Sequence, residues 1–406
     1  MERDAVRIAR KKVVGGDADG AVRGPRLGTG GRFSGIFLWD TAFTVLWARY
    51  HRDTLPVGRS LDNLYRLQSD RGFICRQYTA DGTPVWPDHH PISFAPPILT
   101  WAELDLYELS GDLERLHRVY PHLRKHHQFC VDRFRADDGL FIGDPWGTGM
   151  DNLPRWPRAF SGDGEHLELN DEQVHPRVLT WFKQEVATSP GSAWNRQGRY
   201  IDLSAQMAFN ADCLARMAVL IDAPDDAKSF SSQRTAIGEA INERCWSDQH
   251  NFYFDLGFGK QIPRYHIGAY WTLLAGIVPE QRLDGFLAHL VDDSKFARPV
   301  PVPSLAFDDP DYRPDGDYWR GSSWPPTTYM VLRGLRVVGA EDLAREIAVK
   351  YYGAVRTVYQ STGTFWENLA PESPAPGNPA QPDFCGWAGL GPVAVAREFI
   401  DHTRPG

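Results

Sequence analysis

Two carboxylates lie in tryptophan-rich segments far apart in the chain. Asp151 stands in Trp146-Gly147-Thr148-Gly149-Met150-Asp151-Asn152-Leu153-Pro154-Arg155-Trp156, and Glu367 in Thr364-Phe365-Trp366-Glu367-Asn368-Leu369. A pair of carboxyl groups among aromatic faces suits the cleavage of a sugar acetal, in which one acid protonates the leaving oxygen and a second carboxylate works from the far side of the ring. Their separation sets the stereochemical course: about 6.5–9.5 Å leaves room for a water and gives inversion, whereas about 5–5.5 Å gives a covalent intermediate and retention. The acid must hold its proton near neutral pH, which calls for desolvation, and Trp146 and Trp156 are the residues to supply it. Arg155 opposes this, because a nearby cation favours the ionised acid; the assignment requires it to point elsewhere or to hold another carboxylate. A base must stay ionised, and Asn368 or a backbone amide could donate to Glu367. Glu372 is its nearest rival. The plain alternatives are that Asp151-Asn152 initiates a turn before Pro154 and that Glu367 is a surface loop glutamate.

Grip on a sugar needs acceptors, forks and flat walls. Asp40 can accept two hydroxyls and Arg320 can hold a carboxylate or a pair of oxygens. Trp39, Trp86, Trp146, Trp319, Trp324, Trp366 and Trp387 are candidate walls, and Asn152 and His89 candidate polar contacts. Fourteen tryptophans are equally well explained by an aromatic core.

Other chemistries find less support. His89 and His90 are adjacent on an extended segment and so point apart, with no Glu or Cys at zinc spacing, and no metal is expected. Asp308, Asp309, Asp311, Asp315 and Asp317 match a calcium loop in composition only; one of them is expected to orient Arg313 or Arg320. Gly28-Thr29-Gly30-Gly31 lacks a Walker lysine, and no Gly-x-Ser-x-Gly elbow occurs, so no cofactor is expected.

The chain of 406 residues carries 44 basic and 52 acidic side chains, a net charge of −8 that gives no footprint for nucleic acid. The start has no apolar leader, and no run approaches the roughly 18 apolar residues of a membrane helix. A cytoplasmic protein with a small-molecule partner is the expectation. Cys75, Cys130, Cys213, Cys245 and Cys385 fit neither a zinc pattern nor a disulfide framework and read as free, mostly buried thiols.

Residues 1–35 read as an N-terminal arm, with 14–35 rich in glycine and arginine, and 36–406 as one domain. Helical spacing recurs throughout that domain, including Leu113, Leu116, Tyr120, Leu123, Cys130 and Phe134 behind the N-cap candidate Asp112, and Leu343, Ile347, Tyr351, Val355 and Val358. Further helices are expected at 36–52, 60–69, 97–109, 171–187, 203–217, 225–246, 266–275, 279–290, 325–338 and 386–401, with few strands. Both carboxylates fall in the long connections, the usual home of function on a rigid scaffold.

Taken in order, seven pieces resemble the inverting α-glycosidases of glycoside hydrolase family 63, especially the mannosylglycerate and glucosylglycerate hydrolases. They are Phe37-Leu38-Trp39-Asp40-Thr41-Ala42-Phe43; Ala95-Pro96-Pro97 with Trp101-Ala102 and Leu106-Tyr107; Gly149 to Trp156; Pro301-Val302-Pro303-Ser304 leading to Asp308-Asp309-Pro310; Tyr318-Trp319-Arg320-Gly321 with Trp324-Pro325-Pro326; Trp366-Glu367-Asn368; and Phe384 with Gly386-Trp387. The resemblance implies an all-α (α/α)6 barrel with long functional loops at one end. It places the general acid on Asp151 and the general base on Glu367. The expected activity is that of an exo-acting α-glycosidase, foremost an α-glucosidase, for a small glycoside or disaccharide. The acidic stretch 161–171 disfavours an anionic aglycone, while Arg177, Arg199 and Arg216 could clamp one. Two other classes stay open: a sugar-binding barrel without catalysis, and an epimerase using His89 with His266 or a lyase.

Overall fold

The computed structural model describes residues 1–16, 20–30, 33–88, 93–143, 146–155 and 198–401. His89, Trp156, Arg177, the stretch 161–171, the expected helix 171–187 and the side chain of Trp146 lie outside the described residues. What is described is mostly helical: α1 (Glu2–Lys11), α2 (Leu38–Ala48), α3 (Val57–Arg66), α4 (Leu99–Ser110), α5 (Leu113–Phe134), α6 (Ile201–Leu220), α7 (Pro224–Arg244), the short α8 (Trp271–Leu274), α9 (Glu280–Val291), α10 (Pro325–Val337), α11 (Glu341–Thr362) and α12 (Gly391–Ile400), the last wound as a π-helix.

Local chemistry sets these boundaries. Asp112 caps α5 by accepting from the Arg115 amide at 2.9 Å, as its position predicts. Pro325-Pro326 opens α10, where the missing amide protons cost nothing. Strands are few and only two or three residues long, paired in small antiparallel sheets. One of these matters for the site. The pairing of Ile36–Phe37 with Gln77–Tyr78, continued by the Leu38 amide on the Arg76 carbonyl at 3.0 Å, sets Arg76 beside the start of α2.

The helices fall into two kinds. Every residue of α2 is buried, and α4, α6 and α10 are buried over most of their length, whereas α3, α5, α7, α9 and α11 bury one face. α2 packs on α4, α4 on α6, α6 on α8 and α8 on α10; both α10 and α2 pack on the turn Trp387–Leu390 that leads into α12. At the centre Trp101 stacks on Tyr329 and meets Phe43, Phe209 and Trp271 edge-on. The segment read as an arm begins with α1, whose buried Ala5, Val6, Ile8 and Ala9 face the α12 end of the chain; Glu2 accepts from Arg397. All five cysteines are free and buried. Among the described residues no helix is long and apolar enough to cross a membrane, and no group of three or more His, Cys, Asp and Glu could hold a metal ion.

Candidate active site

Asp40, Asp151 and Glu367 line one pocket, an open space of about 610 Å³ walled by Trp39, Trp319 and Trp387. Each carboxylate comes from a different part of the chain. Asp40 sits in the first turn of α2, Asp151 in the turn that follows Trp146–Thr148, and Glu367 between α11 and α12. Gly149, at φ 83°, lays its backbone against Trp39: a Cβ there would meet the indole at 3.4 Å.

Arg155 resolves the conflict it posed in the sequence. Its guanidinium is fully buried and held between Asp202, at the start of α6, and Asp255, the latter at 2.9 Å. It anchors the far end of the acid-bearing turn. The two carboxylates respond differently: burial raises Asp202 even against the Arg155 charge, whereas Arg155 and His266 take Asp255 far below its ordinary value despite burial. His266 Nε2 lies 3.2 Å from Asp255 in the interior and does not line the pocket, so this histidine cannot serve the epimerase reading.

Among the described residues the cation that reaches the site is Arg76, which no motif in the sequence singled out. Its guanidinium stands 3.8 Å from Asp151 and 5.8 Å from the centre of the Trp86 ring. Asp40 is buried beside them. Desolvation pushes its carboxyl up to about 7, with the Asp151 charge adding to the rise, while a backbone hydrogen bond and the Arg76 charge act against it.

Glu367 is almost wholly buried. One carboxylate oxygen accepts from the Gln381 amide at 3.1 Å and the other from the Tyr318 hydroxyl at 3.3 Å. A backbone amide and a phenol are thus among its donors, whereas Asn368 donates to the Pro379 carbonyl. The surrounding strand is fixed by reciprocal bonds between Ser323 and Leu369, at 2.9 and 3.0 Å, and by the Trp387 indole on the Glu367 carbonyl. Glu372 faces away, held by Arg298 and Tyr312, and lies outside the pocket lining.

The remaining sequence candidates divide. Trp39, Trp319 and Trp387 line the pocket, and the buried Trp39 Nε1 has no partner among the described residues. Trp324 stands behind them, fully buried and stacked on Trp319 with centroids 4.0 Å apart. Trp366 turns its indole to Thr362 and Trp86 to Gln77; neither lines the pocket. Arg320 is held by Asp317 at 2.9 Å and by Asp311, and it does not stand among the residues of the pocket wall. Asn152 bonds the backbone of the 317–319 turn with both ends of its amide, at 2.9 Å to the Asp317 carbonyl and 2.7 Å from the Trp319 amide. Arg199 pairs with Asp138 and Arg216 with Glu108, away from the pocket. Besides Arg76, sequence reading missed Tyr318, although it adjoins a selected tryptophan; its signal was the aromatic run Tyr318-Trp319 itself.

Known proteins resemble this chain in sequence and in fold. The chain is 25% identical over 374 residues to the mannosylglycerate hydrolase of Rubrobacter radiotolerans, covering 79% of this chain and 82% of that one. It is 23% identical over 322 residues to an uncharacterised protein of Borreliella burgdorferi, covering 78% of this chain but only 60% of that relative's length. Among solved structures, the family 63 mannosylglycerate hydrolase of Thermus thermophilus in complex with glucose superposes with a TM-score of 0.73 at 20% identity, over 97% of this chain and 98% of the other. A neutral trehalase of Saccharomyces cerevisiae follows at 0.64 and 14%, over 93% and 74%. A family model of the mannosylglycerate hydrolase MGH1-like glycoside hydrolase domain matches residues 34–388, and the chain belongs to that family of glycoside hydrolases.

Proposed function

We propose that the protein is an inverting, exo-acting α-glycosidase for a small glycoside, built on an (α/α)6 barrel, with Asp151 as general acid and Glu367 as general base. The barrel reading is supported by the circuit of buried helices through α2, α4, α6, α8, α10 and the α12 segment, most of them backed by more exposed ones. The mechanism rests on one observation: carboxylates from two distant loops share a single pocket with tryptophan walls. In this reading the sugar sits against Trp39, Trp319 and Trp387, with the Asp40 carboxyl holding its hydroxyls. Asp151 gives its proton to the glycosidic oxygen as the bond from the anomeric carbon breaks. Glu367 takes a proton from water, which attacks that carbon from the opposite face. The two donors on Glu367 fix the orientation that a base acting through water requires. The glucose-bound neighbour supports α-glucosides as the first substrates to try, and the names of the relatives support mannosylglycerate.

Proton NMR of the reaction tests this directly, with glucosylglycerate, mannosylglycerate and trehalose offered to wild type, Asp151→Asn and Glu367→Gln. Initial release of the β-anomer by wild type alone is the expected result. First release of the α-anomer, or full activity in either variant, would refute the assignment. Binding of the sugars with no turnover by wild type would favour the non-catalytic reading.

A further inference from the structure

Asp317 and Tyr318 both adopt left-handed backbone, at φ 32° and 62°, although neither is glycine. Such conformations persist only where the surroundings impose them, and here the surroundings are specific. The Asn152 side chain brackets Tyr318, donating to the carbonyl before it and accepting from the amide after it. The Tyr318 amide donates to the Asn378 carbonyl at 3.3 Å, and the Trp324 indole donates to the Tyr318 carbonyl at 3.2 Å. The Tyr318 ring then stands edge-on to Trp324, 4.8 Å between centroids, and delivers its hydroxyl to Glu367.

Resting on the reading of Asp151 as acid and Glu367 as base, we infer that Tyr318 is the residue that positions the base, and that Asn152 positions Tyr318. Asn152 directly follows Asp151, so one turn carries the acid and also the strut that sets the base. The link runs from the Asn152 amide through the strained Tyr318 backbone to the Tyr318 hydroxyl and the Glu367 carboxylate. With the Gln381 amide on one carboxylate oxygen and Tyr318 on the other, the rotation of the carboxylate is fixed and the water it holds has a defined place. One bond at each end of the Asn152 amide holds it against the Tyr318 backbone, and through that backbone it acts on the base.

The test is the pH dependence of kcat and kcat/KM for Tyr318→Phe, Asn152→Ala, the double variant and Glu367→Gln, on whichever glycoside the wild type turns over. Among the described residues the other titratable groups lining the pocket are Asp40, Asp151 and Arg76, and none of them is altered. Loss of a hydrogen bond to a charged group should lower kcat about ten- to hundredfold in Tyr318→Phe, with KM little changed. The acidic limb, which reports the base, should move up by about one pH unit, because the removed donor favoured the ionised form. Asn152→Ala should shift the same limb in the same direction, and the double variant should be no worse than the poorer single one. An unmoved acidic limb in Tyr318→Phe with Glu367→Gln inactive would overturn the inference while leaving the base assignment intact. So would an Asn152→Ala variant that only raises KM, or effects that add in full. Undiminished turnover by Glu367→Gln would overturn both.

Discussion

The Arg76 guanidinium stands 3.8 Å from the Asp151 carboxylate. A cation so placed favours the ionised acid, whereas the proposed reaction needs the protonated one. If Asp151 is the acid of that reaction, the neighbouring Arg76 charge should limit how far into alkaline pH activity extends. In Arg76→Gln the basic limb of the kcat/KM profile should move to higher pH; Arg76→Lys, which keeps the charge, should leave it nearly in place. A pH titration of initial rates decides between these outcomes.

Asp40 makes a separate statement about stability. Its ordinary carboxyl value of 3.8 is raised to about 7, chiefly by burial. A raised pKa means that the folded state binds the proton more tightly than the unfolded chain. The resulting stability is complete below pH 3.8 and is lost as pH rises towards about 7. Asp40→Asn removes the titrating group, so relative to wild type it should gain Tm at pH 8 compared with pH 4. The gain should amount to a few kcal/mol, at about 1.4 kcal/mol for each tenfold difference in proton affinity between folded and unfolded chain. Thermal unfolding at the two pH values measures the difference.

Arg155 is expected to matter through the scaffold. Replacing it with methionine leaves Asp202 and Asp255 buried without their shared cation, which should cost about 3–5 kcal/mol. Lysine should recover little of this, since one ammonium cannot reproduce a fork spanning two carboxylates. Urea midpoints of the two variants provide the check.

Glu372 offers the contrast to Glu367. Its carboxyl lies below its ordinary value, mainly through the hydrogen bond from Arg298, and it is partly exposed. Glu372→Gln should therefore keep wild-type kcat and lose about 0–1 kcal/mol of stability. Steady-state kinetics showing a deep loss of kcat would move the base to Glu372.

Much of the fold was legible because helical periodicity is local. The expected helices at 97–109, 225–246, 279–290 and 325–338 fall within a residue or two of α4, α7, α9 and α10, and the Asp112 cap marks the start of α5 correctly. The helix expected at 266–275 is met by the 3-10 turn Ile267–Tyr270 running directly into α8. Within the site, residue type told which carboxylates to consider, but the direction of a side chain depends on partners remote in sequence. Arg155 turns inward because Asp202 and Asp255 wait there, and Arg76 arrives because a two-residue ladder pairs it with the start of α2. Arg320 and Asn152 carry the right groups for sugar binding, yet neighbouring loops claim them first. None of these pairings leaves a periodic trace.

The Trp47 indole donates to the Gly386 carbonyl across 339 positions of sequence, where α2 meets the Trp387 turn. Contacts of such span form only after most of the intervening chain has collapsed. Asp40 and Glu367 lie on the two sides of that seam, so recovery of turnover during refolding should lag behind recovery of helix. A chain cut before Gly386 would lack both the carbonyl that receives the Trp47 indole and the indole that holds the Glu367 backbone, so the two halves of the pocket would have no tie across the seam.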